Sequence, residues 1–343
     1  MAWPNLDEIT SAVLIQDNIL DESIKKDYCC MTEKKRGQQR PLRGTGGFCV
    51  AFKFSNINND KICFRIWKEE PISDLQERLG LISKALHDMD LPYFVHFRYL
   101  SNALRVSPDF KLPGINMAWV EGKTLDVYLR ENARNFLLIK NLANSFMNMC
   151  QMFKRLRIAH GDLSNANIII NDRHEIKLVD YDSLYVPSME NRFCQTTGGA
   201  ASFQHPYRQN KQSNSLKASY TDDYFSQQVI YLSILATLYK PEVADFFGKD
   251  DLLFNDTDYQ SDSAFCNSRG YKAVVSINNE EVRRRLVSLR VAITNPYSAI
   301  NSICDTVSTP PLVYASFCNK CGQRFMSEAK FCPKCGAIRN IIK

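Results

Sequence analysis

Three side chains in the middle of this 343-residue chain could do chemistry together: Asp162, Asn167 and Asp180. The first two lie in HGDLSNAN (160–167), and the third closes IIINDRHEIKLVD (168–180). Each alone is an ordinary turn residue, because Asp and Asn hydrogen-bond their own backbone. Together, oxygen ligands on a rigid turn suit magnesium, which takes one or two carboxylates plus phosphate oxygens and waters. A second set lies in the tail, where CNKCG (318–322) and CPKCG (332–336) repeat one pattern. Two such knuckles bring the thiolates of Cys318, Cys321, Cys332 and Cys335 into a tetrahedron around zinc. Four protein ligands fill the coordination sphere. This Zn2+ would therefore be structural and would supply much of the folding energy of a module of ~30 residues.

The elements that must position the first set can be read from patterning. Ile168-Ile169-Ile170 is one apolar run and Ile176, Leu178 and Val179 form another, with the turn-rich NDRHE between them. The pair predicts a β-hairpin. With Arg173 and His174 at its tip, Ile170 faces Lys177 and Asn167 faces Asp180, which gathers the three side chains at the open mouth. Upstream, LRGTGGFCVAFKF (42–54) precedes a second strand, KICFRIW (61–67). Gly44, Gly46 and Gly47 let a β-turn approach a phosphate chain, because no Cβ shields the backbone amides. In the second strand Ile62, Phe64 and Ile66 share one face, and Cys63 and Arg65 share the other.

Ser73 with Gln76 predicts a capping box for a helix whose apolar stripe is Leu75, Leu79, Ile82 and Leu86. Glu77 falls on the opposite side of that helix. INMAWVEGKTLDVYL (115–129) predicts a strand, a short link and a helix start, and residues 136–158 predict a long helix.

An H-x-D-x-x-x-x-N loop, followed thirteen residues on by an aspartate, resembles the catalytic and metal-binding loops of the protein-kinase-like fold. Five segments agree with that family in order over residues 42–241. The resemblance implies an α+β, bilobal fold. Its parts would be an N-terminal extension (1–38), a small β-rich lobe (39–120), a mostly helical lobe (121–309) and a C-terminal zinc ribbon (313–343). It also implies ATP and Mg2+ as cofactors. Gly44 and Gly46 match the first two glycines of the glycine-rich loop and Phe48 its aromatic tip, while Cys49 stands at the third glycine. Cys63 would roof the adenine, Met117 would be the gatekeeper, and the backbone from Ala118 to Val120 would meet the base. Arg65 replaces the phosphate-binding lysine, a substitution of a planar fork for a compact charge. Its usual glutamate partner is not visible in the helix that carries Glu77. Lys68 is the fallback cation, although it sits on the apolar parity of the strand.

Within this resemblance Asp162 would orient an acceptor hydroxyl and take its proton, and Asn167 and Asp180 would hold magnesium. Asp223, in DYFS (223–226), matches the aspartate that braces the catalytic loop. The form with HGDL, VDYD and QHP (204–206) resembles bacterial eukaryotic-type Ser/Thr kinases. Here Gly161 replaces the arginine that reads a phosphorylated activation loop, Ser164 replaces the catalytic-loop lysine, and Asp182 takes the place of the metal-loop glycine. His160 reads as structural rather than as a proton carrier.

Composition allows this and excludes other classes. With 45% apolar residues the chain can bury a two-lobed core and a small module. No apolar run approaches the ~20 residues of a membrane span, and no charged segment followed by an apolar core opens the chain, so the expected compartment is cytoplasmic with no membrane partner. Eight of the twelve cysteines are scattered without framework spacing, which favours reduced thiols. Residues 313–343 hold six Lys/Arg and one Glu of a formal total of +6. The remaining body is near neutral, which argues against nucleic acid as the main ligand. The ribbon is expected to dock a protein or, as the second option, nucleic acid. Residues 280–293 predict a helix with a solvated basic face, and residues 1–38 and 242–309 yield only helices and loops. The expectation is an ATP- and magnesium-dependent phosphotransferase acting on a protein hydroxyl. The alternatives are a nucleotide-binding pseudokinase scaffold, and a small-molecule kinase of the aminoglycoside or choline type.

Overall fold

The computed structural model describes residues 3–35, 37–46, 48–209, 215–297 and 300–305, with 320, 321, 323, 334 and 335 from the tail. Gly47, Cys318 and Cys332 lie outside the described residues. Cys321 and Cys335, the other two predicted zinc ligands, each lie in a turn. The chain divides into two compact units, Met1–Cys304 and Asp305–Lys343.

The larger unit is mixed α+β, with a sheet-rich N-terminal region and a helical C-terminal part. Its main sheet is antiparallel and contains β1 (Cys29–Cys30), β4 (Arg43–Thr45), β5 (Cys49–Ser55), β6 (Lys61–Trp67), β7 (Phe97–Ser107) and β8 (Phe110–Ala118). β1 and β4 share one edge of β5, and the order then runs β5, β6, β8, β7. Strands β2 (Thr32–Lys35) and β3 (Gln38–Pro41) pair only with each other as an exposed ribbon. The expected alternation along β6 is present. Phe64 and Ile66 are fully buried and Ile62 nearly so, on the face away from Cys63 and Arg65. That face is covered by helices α1 (Leu6–Val13) and α2 (Glu22–Asp27), whose Ile9, Val13 and Ile24 pack on Phe52, Phe54 and Phe64. Helices α1 and α2 thus supply the second layer of the sheet, since an apolar face must be buried against another element.

On the other face lies α3 (Leu75–Met89), with Leu75, Leu79, Ile82 and Leu86 buried as the stripe predicted. The predicted capping box is not formed. Asp74 is the N-cap and makes no side-chain cap bond; its carboxylate is 3.5 Å from Arg78 one turn on, and that pairing competes with capping.

The helical part contains α4 (Leu125–Asn132), α5 (Phe136–Leu156), α6 (Pro206–Gln209), α7 (Tyr224–Tyr239), α8 (Asp262–Asn267), α9 (Arg269–Val275) and α10 (Glu280–Thr294). Every residue of α7 from Tyr224 to Leu238 is buried. Its hydroxyls are satisfied internally, Ser233 donating to Val229 O and Thr237 to Ser233 O, which is what allows a helix with polar residues to sit at the centre. α10 buries Val282, Leu286 and Leu289, but the expected solvated basic face is only partly formed. Arg283 is exposed, whereas Arg285 is tucked against Tyr231 and donates to Ile303 O at 2.6 Å, and Arg290 pairs with Asp262. A three-stranded sheet of β9 (Lys123–Thr124), β10 (Ile168–Ile170) and β11 (Ile176–Leu178) sits at the start of the helical part. Among the described residues no helix is long and apolar enough to cross a membrane.

Candidate functional site

The loop before β10 is fixed from beneath by buried side chains. Asp223, fully buried just ahead of α7, accepts from His160 N at 2.5 Å and from Gly161 N at 2.9 Å. Burial pushes its carboxyl up, and those two donors pull it back towards the ionised form. Arg208 of α6, 1% exposed, donates to Gly161 O at 2.8 Å, to Gln195 Oε1 at 2.8 Å and to Gln204 Oε1 at 2.5 Å. Gly161 itself has φ +79°, and an added Cβ would collide with the Ser183 carbonyl, so this position admits glycine for two reasons. His160 is fully buried with Nε2 2.8 Å from Val179 O, which agrees with a structural role.

On this base Asp162 and Asn167 are joined. Asn167 Nδ2 donates to Asp162 O at 2.8 Å, and Asp162 Oδ1 accepts from Ala200 N at 2.8 Å. The hairpin that follows corrects the predicted register. Ile168 pairs with Leu178, Ile169 with Lys177 and Ile170 with Ile176, one residue out of the expected frame. The turn decides this: Asn171 N bonds Glu175 O, His174 takes φ +61°, and a three-residue loop replaces the two-residue tip. Asn167 O consequently accepts from Val179 N, and Asp180 lies one position past the pair. Asp180 adopts φ +68°, a left-handed conformation that costs a non-glycine residue about 1 kcal/mol or more. That turn, rather than strand opposition, brings its carboxylate into the cavity.

The opposite wall is the inner face of β4, β5 and β6. Lys68, the fallback cation, does not enter the site; its Nζ donates to Gly46 O at 2.6 Å and its backbone N to Phe48 O at 2.8 Å, holding the glycine turn. Arg65 does enter. Nη1 reaches Asp182 Oδ1 at 3.0 Å, and Nη2 reaches Asp182 Oδ2 and Asp180 Oδ1, both at 2.8 Å. Burial alone would favour the neutral guanidine, but Asp180 and Asp182 reverse this and hold Arg65 well above its ordinary value. Burial pushes the Asp182 carboxyl up, against the pull of Arg65. The same burial raises the Cys49 thiol to about 12 and the Cys63 thiol to about 11, so both are inert thiols in the wall.

The two walls enclose a cavity of about 820 Å³. Gly44, Gly46, Phe48, Cys63 and Arg65 line it above. Met117, Ala118 and Val120 close its back, Met117 being the register partner of Cys63, and Asp162, Asn167 and Asp180 form its floor. Every predicted residue of this site that is described lies on that cavity, with Phe48 56% exposed at its mouth. Glu77 does not: it points outward and pairs with Arg192. Sequence reasoning missed Asp182 as the partner of Arg65, and Arg208 as the brace of the 161 loop. The D-x-D spacing at 180 and 182 was a signal for the first; a single arginine after QHP carries none for the second.

A buried cation, an open carboxylate and an amide oxygen across from a glycine turn can bind a polyphosphate with a divalent cation. A further fixed carboxylate at Asp162 can take a proton from a hydroxyl. Among the described residues no group of three or more His, Cys, Asp or Glu stands together as a metal cage. A scan against protein-family models finds no match for this chain, and a search of curated proteins finds none either.

Proposed function

We propose that this chain is an ATP- and magnesium-dependent phosphotransferase of protein-kinase-like fold, acting on Ser/Thr hydroxyls of a protein substrate. One observation carries the reading: the 160–167 loop with Asp162 and Asn167, Asp180, Arg65 and the Gly44–Gly46 turn come from separate segments and face a single cavity of about 820 Å³. That volume suits a nucleotide-sized ligand.

In this reading Cys63, Met117, Ala118 and Val120 hold the adenine, and Arg65 with the glycine turn holds the phosphates. Asn167 and Asp180 are the magnesium ligands. Their donor set fits, being hard oxygens, one from a carboxylate that is 43% exposed. Magnesium held there would neutralise charge on the phosphate oxygens. Asp162, anchored through Oδ1 by Ala200, presents Oδ2 to the acceptor hydroxyl and takes its proton. The acceleration then comes mainly from alignment and fixed charge. The tail is proposed to be a zinc ribbon held by Cys318, Cys321, Cys332 and Cys335, docking a protein partner.

The test is transfer of label from γ-labelled ATP, with magnesium, to the protein itself or to lysate components. Label that depends on Asp162 supports the reading; no label from a nucleotide-bound sample, and no effect of Asp162→Asn, overturns it. A nucleotide-binding pseudokinase scaffold is the second reading, favoured by the arginine at position 65 and by the engagement of Asp162 Oδ1 with the 199–200 backbone. A thermal shift with nucleotide that magnesium does not enlarge would select the scaffold.

A further inference from the structure

Asp180 and Asp182 both bind Arg65, yet they are not equivalent. Asp182 takes two hydrogen bonds from the guanidinium, one to each carboxylate oxygen, and its side chain is 18% exposed. Asp180 takes one bond and is 43% exposed. Bidentate Arg–carboxylate pairs fix direction as well as energy. Asp182 is also gripped from the sheet side. The Cys49 thiol lies 3.9 Å from its Oδ2. The tucked carboxylate therefore sets where Arg65 points, and the open one can leave it.

Helix α3 offers no substitute. The residue it turns to the cavity is Leu75, 4% exposed. Its acidic neighbours are engaged away from Arg65: Glu77 pairs with Arg192, and Asp74 with Arg78. Arg78 in turn donates to Cys194 O at 2.6 Å.

We propose that Asp182 is the positioning residue for Arg65, holding the guanidinium in place for phosphate while Asp180 is released from it to a divalent cation. This rests on reading the cavity as a nucleotide site. A consequence is that phosphate binding does not depend on where α3 sits, because the pair is formed between β6 and the segment just past β11. Arg65 occupies charge on Asp180 that a cation would otherwise neutralise. Loading then exchanges one positive partner of Asp180 for another and leaves the Arg65–Asp182 pair intact.

The experiment uses the full chain labelled with 15N-arginine, with the Arg65 Nε–Hε signal assigned by its disappearance in Arg65→Lys. Binding of Mg-ADP is measured on the same samples. The expected result is a sharp Arg65 signal in the wild type and in Glu77→Gln, lost in Asp182→Asn. Mg-ADP affinity should fall about tenfold or more in Asp182→Asn, the scale of a lost charge-assisted pair. A signal and an affinity in Asp182→Asn both within about twofold of wild type overturn the positioning role. An Asp182-dependent signal in a wild type that binds no Mg-ADP overturns the phosphate role through failure of the site reading, a distinguishable outcome. If Asp182→Asn does not fold, Asp182→Glu decides. It keeps the charge but shifts it by one methylene, so KM for ATP should rise about threefold or more with kcat retained, and an unchanged KM overturns the proposal.

Discussion

The floor and the roof of the cavity are held by different physics. Beneath, the 160–167 loop is pinned through its backbone: Asp223 takes two amide protons and Arg208 a carbonyl, all fully buried. Above, the Arg65 guanidinium projects from β6 and is clasped by carboxylates that belong to the floor. A backbone pinned from a buried helix has one position. A side-chain clasp can trade partners as charge enters the site. The floor is thus built to be rigid and the roof to respond.

The largest effect should come from Asp162, the proposed general base on the floor. Asp162→Asn is expected to lower phosphoryl transfer by about 10³-fold, within the range for a lost general base, with nucleotide affinity unchanged; steady-state kinetics and calorimetry check both halves. Next, Asp223→Ala leaves the His160 and Gly161 amides buried without an acceptor. It should cost about 4 kcal/mol in urea unfolding, at 1–3 kcal/mol per orphaned donor. A cost below about 1 kcal/mol would mean that the loop is held from elsewhere.

A pH test sharpens the same contrast. Asp222, adjacent to the pin, accepts from Ser219 N and Tyr297 Oη, and burial pushes its carboxyl from 3.8 up to about 6. The folded state therefore binds this proton more tightly than the unfolded chain does. The stabilisation is complete below about pH 4 and is lost as pH rises through about 6. Over that window the wild type should lose roughly 3 kcal/mol relative to Asp222→Asn, at about 1.4 kcal/mol per pH unit. Parallel stability–pH curves for the two proteins would refute it. The smallest effect belongs to the roof's outer surface: Glu77→Gln, an exposed pair with Arg192, should change stability by less than about 0.5 kcal/mol and leave nucleotide binding alone.

Much of this site was legible because its signals are local. The H-x-D-x-x-x-x-N spacing and the alternation that puts Cys63 and Arg65 on one face of β6 are each properties of a short segment, set by backbone period and turn chemistry. The stripe on α3 follows in the same way. The hairpin register was not legible, since a two-residue and a three-residue loop fit NDRHE equally well until Asn171 and Glu175 close the turn. Nor was the second layer of the sheet, because α1 and α2 carry only short apolar stripes.

By itself, then, the sequence determined which side chains could act and on which face of which element they would stand. Tertiary structure alone decided which of them meet. Arg65 reaches Asp182 across 117 positions, and Arg208 reaches Gly161 across 47. Contacts between distant segments leave no period in either segment; they arise only when packing brings two surfaces together and a buried charge must find its counterpart.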